Sequence, residues 1–582
     1  MRKSTLATLT GALALGIGLT FASANTPASD VSTETALSRN LVTFNSIARQ
    51  LAEHYVDSMR PDAAVQAAIA AMLNTVDPYT EYYNSDDKEQ LEIMTTGAYG
   101  GIGAFVMGRD GNTYISLPIE GSPSYKAGLK SGDKILRVDT TDVQGRPTDF
   151  TTKLLRGEPG TTVLVTVERP YAADSILQIE VLRERVQDKS VPFAGVIGGD
   201  VGYVKLTSFM EKSPKEVQTA LESFKEVEGL KGVVLDLRDN GGGLVESAVD
   251  ILGMFLPRGS KVLETKGKTE NQNTTYTTSK HPVMPDTPLV ILIDDGSASA
   301  SEIVAGAVQD LDRGVLVGQR SFGKGLVQST LQTPFSGLLK ITTAKYYLPS
   351  GRLIQALDYT HRKPDGSVAR TPDSLTNEFK TKKGRIVRDG GGLVPDTVTA
   401  LPDYSRLLFN LVSANQIFDY ATKYAAEHPS IPAPSEFKVT DEIYEDFIAF
   451  VDTAKIKSDK TGRQLLDELR KTANTEGFMT EALSAELDTL ETLIQPDLSR
   501  DLRNRRQEVS EFLGREIVSR YYNRSGEDEF SLTYDTEFAV AADMLRNKEL
   551  YDAMLAAPGQ TKGASADKKK PSQKKKSGAG KR

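Results

Sequence analysis

At 582 residues with ordinary apolar and charged content, the chain is too long for one core and reads as about three to five globular domains. Its net charge of −8 comes with no basic face over the body of the chain, so no nucleic-acid partner is expected. There is no cysteine, which excludes disulfides, thiolate metal sites and a thiol nucleophile; the four histidines (His54, His281, His361, His428) have no metal-binding spacing, so neither metal nor cofactor is expected.

The chain opens with Met1-Arg2-Lys3, an apolar run from Leu6 to Phe21, and Ala22-Ser23-Ala24. A basic start, an apolar middle and a small-x-small end make a secretory signal over residues 1–24, cleaved after Ala24. That predicts an exported, periplasmic protein; left uncleaved, the same run would tie it to the membrane, but its glycines and threonines make a poor spanning helix. Residues 38–85 carry a helical period: Leu41, Phe44, Ile47, Leu51 and Tyr55, then Val65, Ile69 and Met72 in a second helix from Pro61 to Leu73. Asp77-Pro78-Tyr79-Thr80 ends it.

Residues 97–184 change to short strands and turns. Gly100-Gly101-Ile102-Gly103-Ala104-Phe105 is a glycine-rich loop running into a strand, followed by Gly121-Ser122-Pro123, Lys126-Ala127-Gly128-Leu129 and Ser131-Gly132-Asp133-Lys134-Ile135. No helix follows the glycines, so this is no dinucleotide fingerprint. Together the segments resemble a PDZ domain, which implies that the loop Gly101, Ile102, Gly103 and Ala104 receives the carboxylate of a peptide C-terminus while the peptide adds to a sheet edge.

Residues 186–404 read as an α/β core. Val201–Leu206 is a strand, Pro214–Phe224 an amphipathic helix, and Gly232–Arg238 a buried strand leading into Asp239-Asn240-Gly241-Gly242-Gly243. Pro288–Asp294 is a second buried strand, and Asp295-Gly296-Ser297-Ala298-Ser299-Ala300-Ser301-Glu302 turns into a helix on which Ile303, Val304, Ala307, Val308 and Leu311 share one face. Ser299 with Glu302 is a capping-box pattern, and the same helix N-terminus favours developing negative charge. After the strand Gly314–Gly318 comes Phe322-Gly323-Lys324-Gly325-Leu326-Val327-Gln328. Gly318 to Lys324 nearly matches a phosphate-binding loop, but Gly325 replaces the required hydroxyl and a strand follows where a helix is needed. A serine can use a lysine as its base if desolvation lowers the lysine pKa. Lys324 and Gln328, four apart, would project on one face if Gly325–Thr330 is a strand.

Ser-Ala-Ser-Ala-Ser-Glu followed by Phe-Gly-Lys-Gly-x-Val-Gln resembles the C-terminal processing (tail-specific) serine peptidases. The resemblance implies a multidomain α/β protein: a mixed α/β peptidase core of the crotonase/ClpP-like kind with an inserted PDZ domain and helical N- and C-terminal regions. It implies Ser299 as nucleophile, Lys324 as base and Gln328 as the amide that orients it. It also implies oxyanion donors at the backbone N–H groups of Gly242 and Ala300, although Gly241 stands where the family has proline. The expected partners are protein or peptide substrates bound by their C-termini, with a homodimer and an adaptor or lipoprotein as further partners the family admits. The alternative is a catalytically inactive PDZ scaffold on a peptidase-like core. Residues 405–556 are helical without a motif. Residues 557–582, rich in lysine, read as a solvated disordered tail.

Overall fold

The computed structural model describes residues 28–556 apart from 86, 364, 457–460 and 495–496, and gives only the backbone of 28–33, 88–90 and 461. The segment read as a signal (1–24) and the lysine-rich tail (557–582) lie outside these residues. The chain divides into a unit ending at Val76 and a larger one from Asp77 onward. The first holds helices Ala28–His54 and Pro61–Leu73. Among the described residues no helix is long and apolar enough to cross a membrane.

In the larger unit a six-stranded sheet carries the core. Its order is Phe193–Ile197, Val201–Lys205, Gly232–Asp236, Leu289–Ile293, Val315–Gly318 and Thr397–Val398, parallel except for the first pair. Continuous apolar runs make such strands because both faces are covered. One face (Val204, Val233, Leu235, Ile291, Ile293) packs under helices Ser213–Phe224, Val245–Leu252 and Ala300–Asp310. The alternate residues, Tyr203, Val234, Val290 and Leu292, pack against Phe538, Ala541, Ala542 and Leu545 of helix Thr536–Arg546 and against Tyr551. The helical region that begins at residue 405 thus supplies this cover. The last helices complete the peptidase core, because a parallel sheet cannot leave its second apolar face in water.

A second, antiparallel sheet runs Glu81–Tyr83, Leu338–Tyr347, Lys261–Gly267 and Thr274–Thr277, with Leu326–Gln332 also paired to Leu338–Tyr347. Glu81–Tyr83 corrects the helical reading of 38–85. Past Asp77, whose carboxylate accepts from the N–H groups of Tyr79 and Thr80 at 2.9 Å, the chain leaves its helices and joins this sheet.

Residues 98–187 form a five-stranded antiparallel sheet of their own (Ala104–Arg109, Asn112–Pro118, Lys134–Val138, Thr162–Glu168, Ile176–Leu182), joined by the short Thr141–Asp142. Around it lie helix Thr148–Leu155 and a separate core of Ile102, Ile115, Ile135, Val165 and Val181. The ribbon of Ala98–Gly101 with Glu184–Gln187 closes its base. Between residues 357 and 388 the chain forms two small hairpins. Helices between Arg406 and Ser531 enclose a further core around Leu411, Tyr420, Phe447 and Leu513.

Candidate active site

The site lies where the strands Gly232–Asp236 and Leu289–Ile293 end. Asp294 holds the turn after the second strand: its carboxylate accepts from the N–H groups of Gly296 and Ser297 at 3.0 Å. It also accepts from the Asp239 N–H at 3.0 Å, which ties this turn to the glycine loop of the neighbouring strand. The three serines then take different roles. Ser297 gives its hydroxyl to the Leu237 carbonyl (2.8 Å) and Ser301 gives its own to the Asn240 carbonyl (2.7 Å). Both are 0 % exposed. Ser299 is half-buried, and its hydroxyl donates to no carbonyl among the described residues. Its backbone, at φ 57° and ψ −113°, lies outside the favoured regions, the strain typical of a nucleophile presented on a sharp turn into a helix.

Ser299 and Glu302 form the expected capping box, with the Glu302 carboxylate accepting from the Ser299 N–H at 2.9 Å. The Ser299 carbonyl accepts from the fully buried Tyr346 hydroxyl at 3.3 Å. Gly242 fits against this corner. At φ +102°, a Cβ there would stand 2.8 Å from Ser299 Cβ and 2.9 Å from the Ala300 nitrogen. The Gly242 N–H, expected as an oxyanion donor, already donates to Asn240 Oδ1 at 2.9 Å. It reaches a substrate only by giving up that bond. The Ala300 N–H, at the first position of helix Ala300–Asp310, has no acceptor among the described residues.

Lys324 lies in the loop before strand Leu326–Gln332. Its two flanking glycines are there for close approach: a Cβ on Gly323 would meet Ala356 Cβ at 2.4 Å, and one on Gly325 would meet the Gln355 nitrogen at 2.9 Å. The Lys324 amine sits 4.3 Å from the centre of the Tyr79 ring. Burial, helped by the neighbouring Lys340, lowers its pKa to about 8 against the opposing pull of Asp77, Glu302 and Glu81. Lys324 precedes the strand, and the pairing with Leu338–Tyr347 bulges between Val327 and Gln328, so simple alternation does not put Lys324 and Gln328 on one face. The Gln328 amide donates instead to Thr342 Oγ1 at 3.0 Å. His361 pairs with Asp358 on the surface (2.7 Å).

In the smaller sheet domain, Gly101 ends one strand and Ala104 begins the next. Gly103 turns at φ +74°, and its carbonyl accepts from the hydroxyls of Ser122 (2.7 Å) and Ser124 (2.6 Å). Ile102 is buried in the core. The loop is thereby fixed beside Ala104–Arg109, an edge strand.

No motif points to what Tyr79, Asp294, Tyr346 and Asn240 do here. In the sequence Tyr79 is only part of a helix stop and Glu302 only a cap.

Three family models match the chain: "Peptidase family S41" over residues 200–365, "PDZ domain" over 100–182, and "Probable PDZ-protease, C-terminal helical domain" over 407–545. The carboxy-terminal-processing protease of Bartonella bacilliformis is 34 % identical over 325 residues, covering 55 % of this chain and 74 % of that protein. The carboxy-terminal processing protease CtpA of Bacillus subtilis is 27 % identical over 455 residues, covering 76 % and 89 %. Among solved structures, the photosystem II D1 C-terminal processing protease is 29 % identical, covers 54 % of this chain and 83 % of its own, and has a TM-score of 0.32. With a PDZ domain set before an α/β peptidase core, the chain belongs to peptidase family S41, the carboxy-terminal processing serine peptidases.

Proposed function

We propose that the enzyme is an endopeptidase that cuts with a Ser299–Lys324 dyad and takes substrates by their free C-termini on its PDZ domain. The observation that carries this reading is the division among the three serines: two donate their hydroxyls to backbone carbonyls, and of the three only Ser299 does not. The neutral Lys324 amine takes the Ser299 proton as Oγ attacks the scissile carbonyl. The resulting oxyanion meets the Ala300 N–H, joined by Gly242 once Asn240 releases it. The Lys324 ammonium then protonates the leaving amine, and water, activated by the same amine, frees the acyl group.

In the PDZ domain the loop Gly101–Ala104 receives the substrate carboxylate, and the substrate strand adds to Ala104–Arg109. Residues 1–24 support an exported, periplasmic location. No observation favours an inactive scaffold.

Ser299→Ala and Lys324→Ala should each remove nearly all turnover while the fold survives, and the double variant should be hardly worse than either, because the two act as one unit. Losses that multiply would refute the dyad. Peptides ending in a free carboxylate should be cut faster than the same peptides amidated. Equal rates would remove the carboxylate-reading role.

A further inference from the structure

One carboxyl group sits where the two reactive loops meet. Glu302 is 0 % exposed, on the first turn of helix Ala300–Asp310. Its Oε2 accepts from the Ser299 N–H at 2.9 Å and from the Lys324 N–H at 2.8 Å. Its Oε1 accepts from the Gly323 N–H at 2.8 Å and from Ser321 Oγ at 2.5 Å. The backbones of the serine and the lysine thus hang on a single oxygen atom. A helix cap needs only the first of these bonds; the other three reach across to a loop some twenty residues further along the chain.

We infer that Glu302 is a positioning residue that fixes the Ser299-to-Lys324 approach, and that it must be ionised to do so. The inference rests on the dyad assignment above. All four partners are donors, and three of them are backbone N–H groups that cannot accept. A proton on either oxygen would therefore oppose at least one bond of the clamp. Only Ser321 Oγ, which also accepts from the Leu393 N–H at 2.7 Å, could turn to accept it, and turning ends the bond it now donates to Oε1. The titratable groups facing Glu302 are Lys324 from the loop before Leu326–Gln332, Tyr346 from strand Leu338–Tyr347, and Tyr79 from the segment before Glu81–Tyr83. Lys324 is the sole cation among them, and its amine lies over the Tyr79 ring. Burial raises the Glu302 pKa to about 7 against the pull of its four hydrogen bonds, so the clamp titrates just below the base.

The test compares Glu302→Gln and Glu302→Asp with the wild-type enzyme on a peptide substrate. In wild type, two groups must lose protons, so log kcat/KM should rise with a slope approaching two on the acid side. Glu302→Gln keeps the shape but places an amide where donors converge. Its kcat should fall about 100-fold, the scale of a small misplacement of reacting groups, with KM little changed and the acid slope reduced to one. Glu302→Asp keeps the charge and should retain more activity than Glu302→Gln and the two-step limb. Hydrogen exchange in the unsubstituted enzyme supplies a readout that needs neither turnover nor a variant. In the wild-type enzyme, the amides of Ser299, Gly323 and Lys324 should lose protection from pH 8.5 to pH 6, after correction for intrinsic exchange. Unchanged protection, or a Glu302→Gln enzyme with wild-type kcat and a slope of two, would overturn the clamp. Turnover surviving in Ser299→Ala or Lys324→Ala would instead overturn the dyad, and exchange would still judge the clamp.

Discussion

In the proposed dyad Lys324 must be neutral to take a proton from Ser299, and its surroundings act on that requirement in opposite directions. Burial removes water from the ammonium and lowers its pKa to about 8, so about a tenth of the amine is neutral at pH 7 and half at pH 8. Activity should therefore climb through that range. The Tyr79 ring, 4.3 Å from the amine, works both ways: its face attracts the ammonium, and its bulk keeps water off. Burial is the largest cause of the shift, so losing the cover outweighs losing the attraction. Tyr79→Ala should move the rising limb of the pH–rate profile up by roughly one unit. Tyr79→Phe loses only the hydroxyl contact to Tyr359 (3.2 Å) and should leave the limb in place. A limb that moved down in Tyr79→Ala would mean that the ring acts mainly by holding the charge. None of the four histidines enters this scheme, so replacing each should leave the profile unchanged.

At the scale of elements, two strand ends are bolted together to make the corner on which Ser299 sits. Asp294 holds Asp239, Ser297 reaches Leu237, Ser301 reaches Asn240, and the Ala298 N–H donates to the Asn240 carbonyl at 3.0 Å. Between them Gly242 has no room for a side chain on either count, since φ is +102° and a Cβ would stand 2.7 Å from the Ala298 carbonyl oxygen. Backbone cannot swing aside as a long side chain can. Gly242→Ala should lower kcat/KM by at least about 100-fold and cost about 1–3 kcal/mol of stability, read from a thermal melt beside the kinetics. Gly241→Ala is the control: a Cβ there meets nothing within 4 Å, and a near-wild-type enzyme is expected. If both variants behaved alike, close packing of the glycine loop on Ser299 would not be what matters.

Over the larger unit, the C-terminal part of the chain serves both flanking domains. Helix Thr536–Arg546 covers the second face of the peptidase sheet, where Phe538 stands edge-on to Tyr203 at 5.4 Å. Phe538→Ala should cost about 3–5 kcal/mol, seen as a lower unfolding midpoint of the whole core. A loss under about 1 kcal/mol would show that the sheet does not depend on this cover. Helix Gln416–Glu427 meets the PDZ domain. Asp419 takes both Arg109 nitrogens, at 2.6 and 2.9 Å, and a Cβ on Gly132 would touch Thr422 Cγ2 at 2.7 Å. Arg109 ends the edge strand on which a substrate strand is proposed to add. A double-mutant cycle on Arg109→Ala and Asp419→Ala should give a coupling of about 1–2 kcal/mol that shrinks with salt, as expected for a bidentate, partly buried pair. Zero coupling would leave the two domains held by packing alone.

By itself the sequence determined what local rules govern. The buried strands Gly232–Asp236 and Leu289–Ile293 follow from apolar runs closed by turn residues, and the helix after Ala298 from its period and its cap. The glycine, Ala-Gly-Leu and Gly-Asp segments of the PDZ domain and the Ser299 and Lys324 loops were legible because short motifs demand particular backbone shapes. Only the tertiary structure decided which serine stays available, since that depends on two carbonyls of another strand's loop. It likewise decided that Gly242 gives its N–H to Asn240 and that Gln328 turns to Thr342. It brought Tyr79 over Lys324 through the pairing of Glu81–Tyr83 with Leu338–Tyr347, and it placed residues 536–554 on the peptidase sheet. In the sequence Glu302 is a cap three residues after a serine; in the fold it is the point on which two loops close. Periodicity reports which face of an element is apolar, not which distant segment will cover it. Hydrogen bonds between loops depend on how their strands are arranged in the sheet, and that arrangement exists only once the whole core has packed.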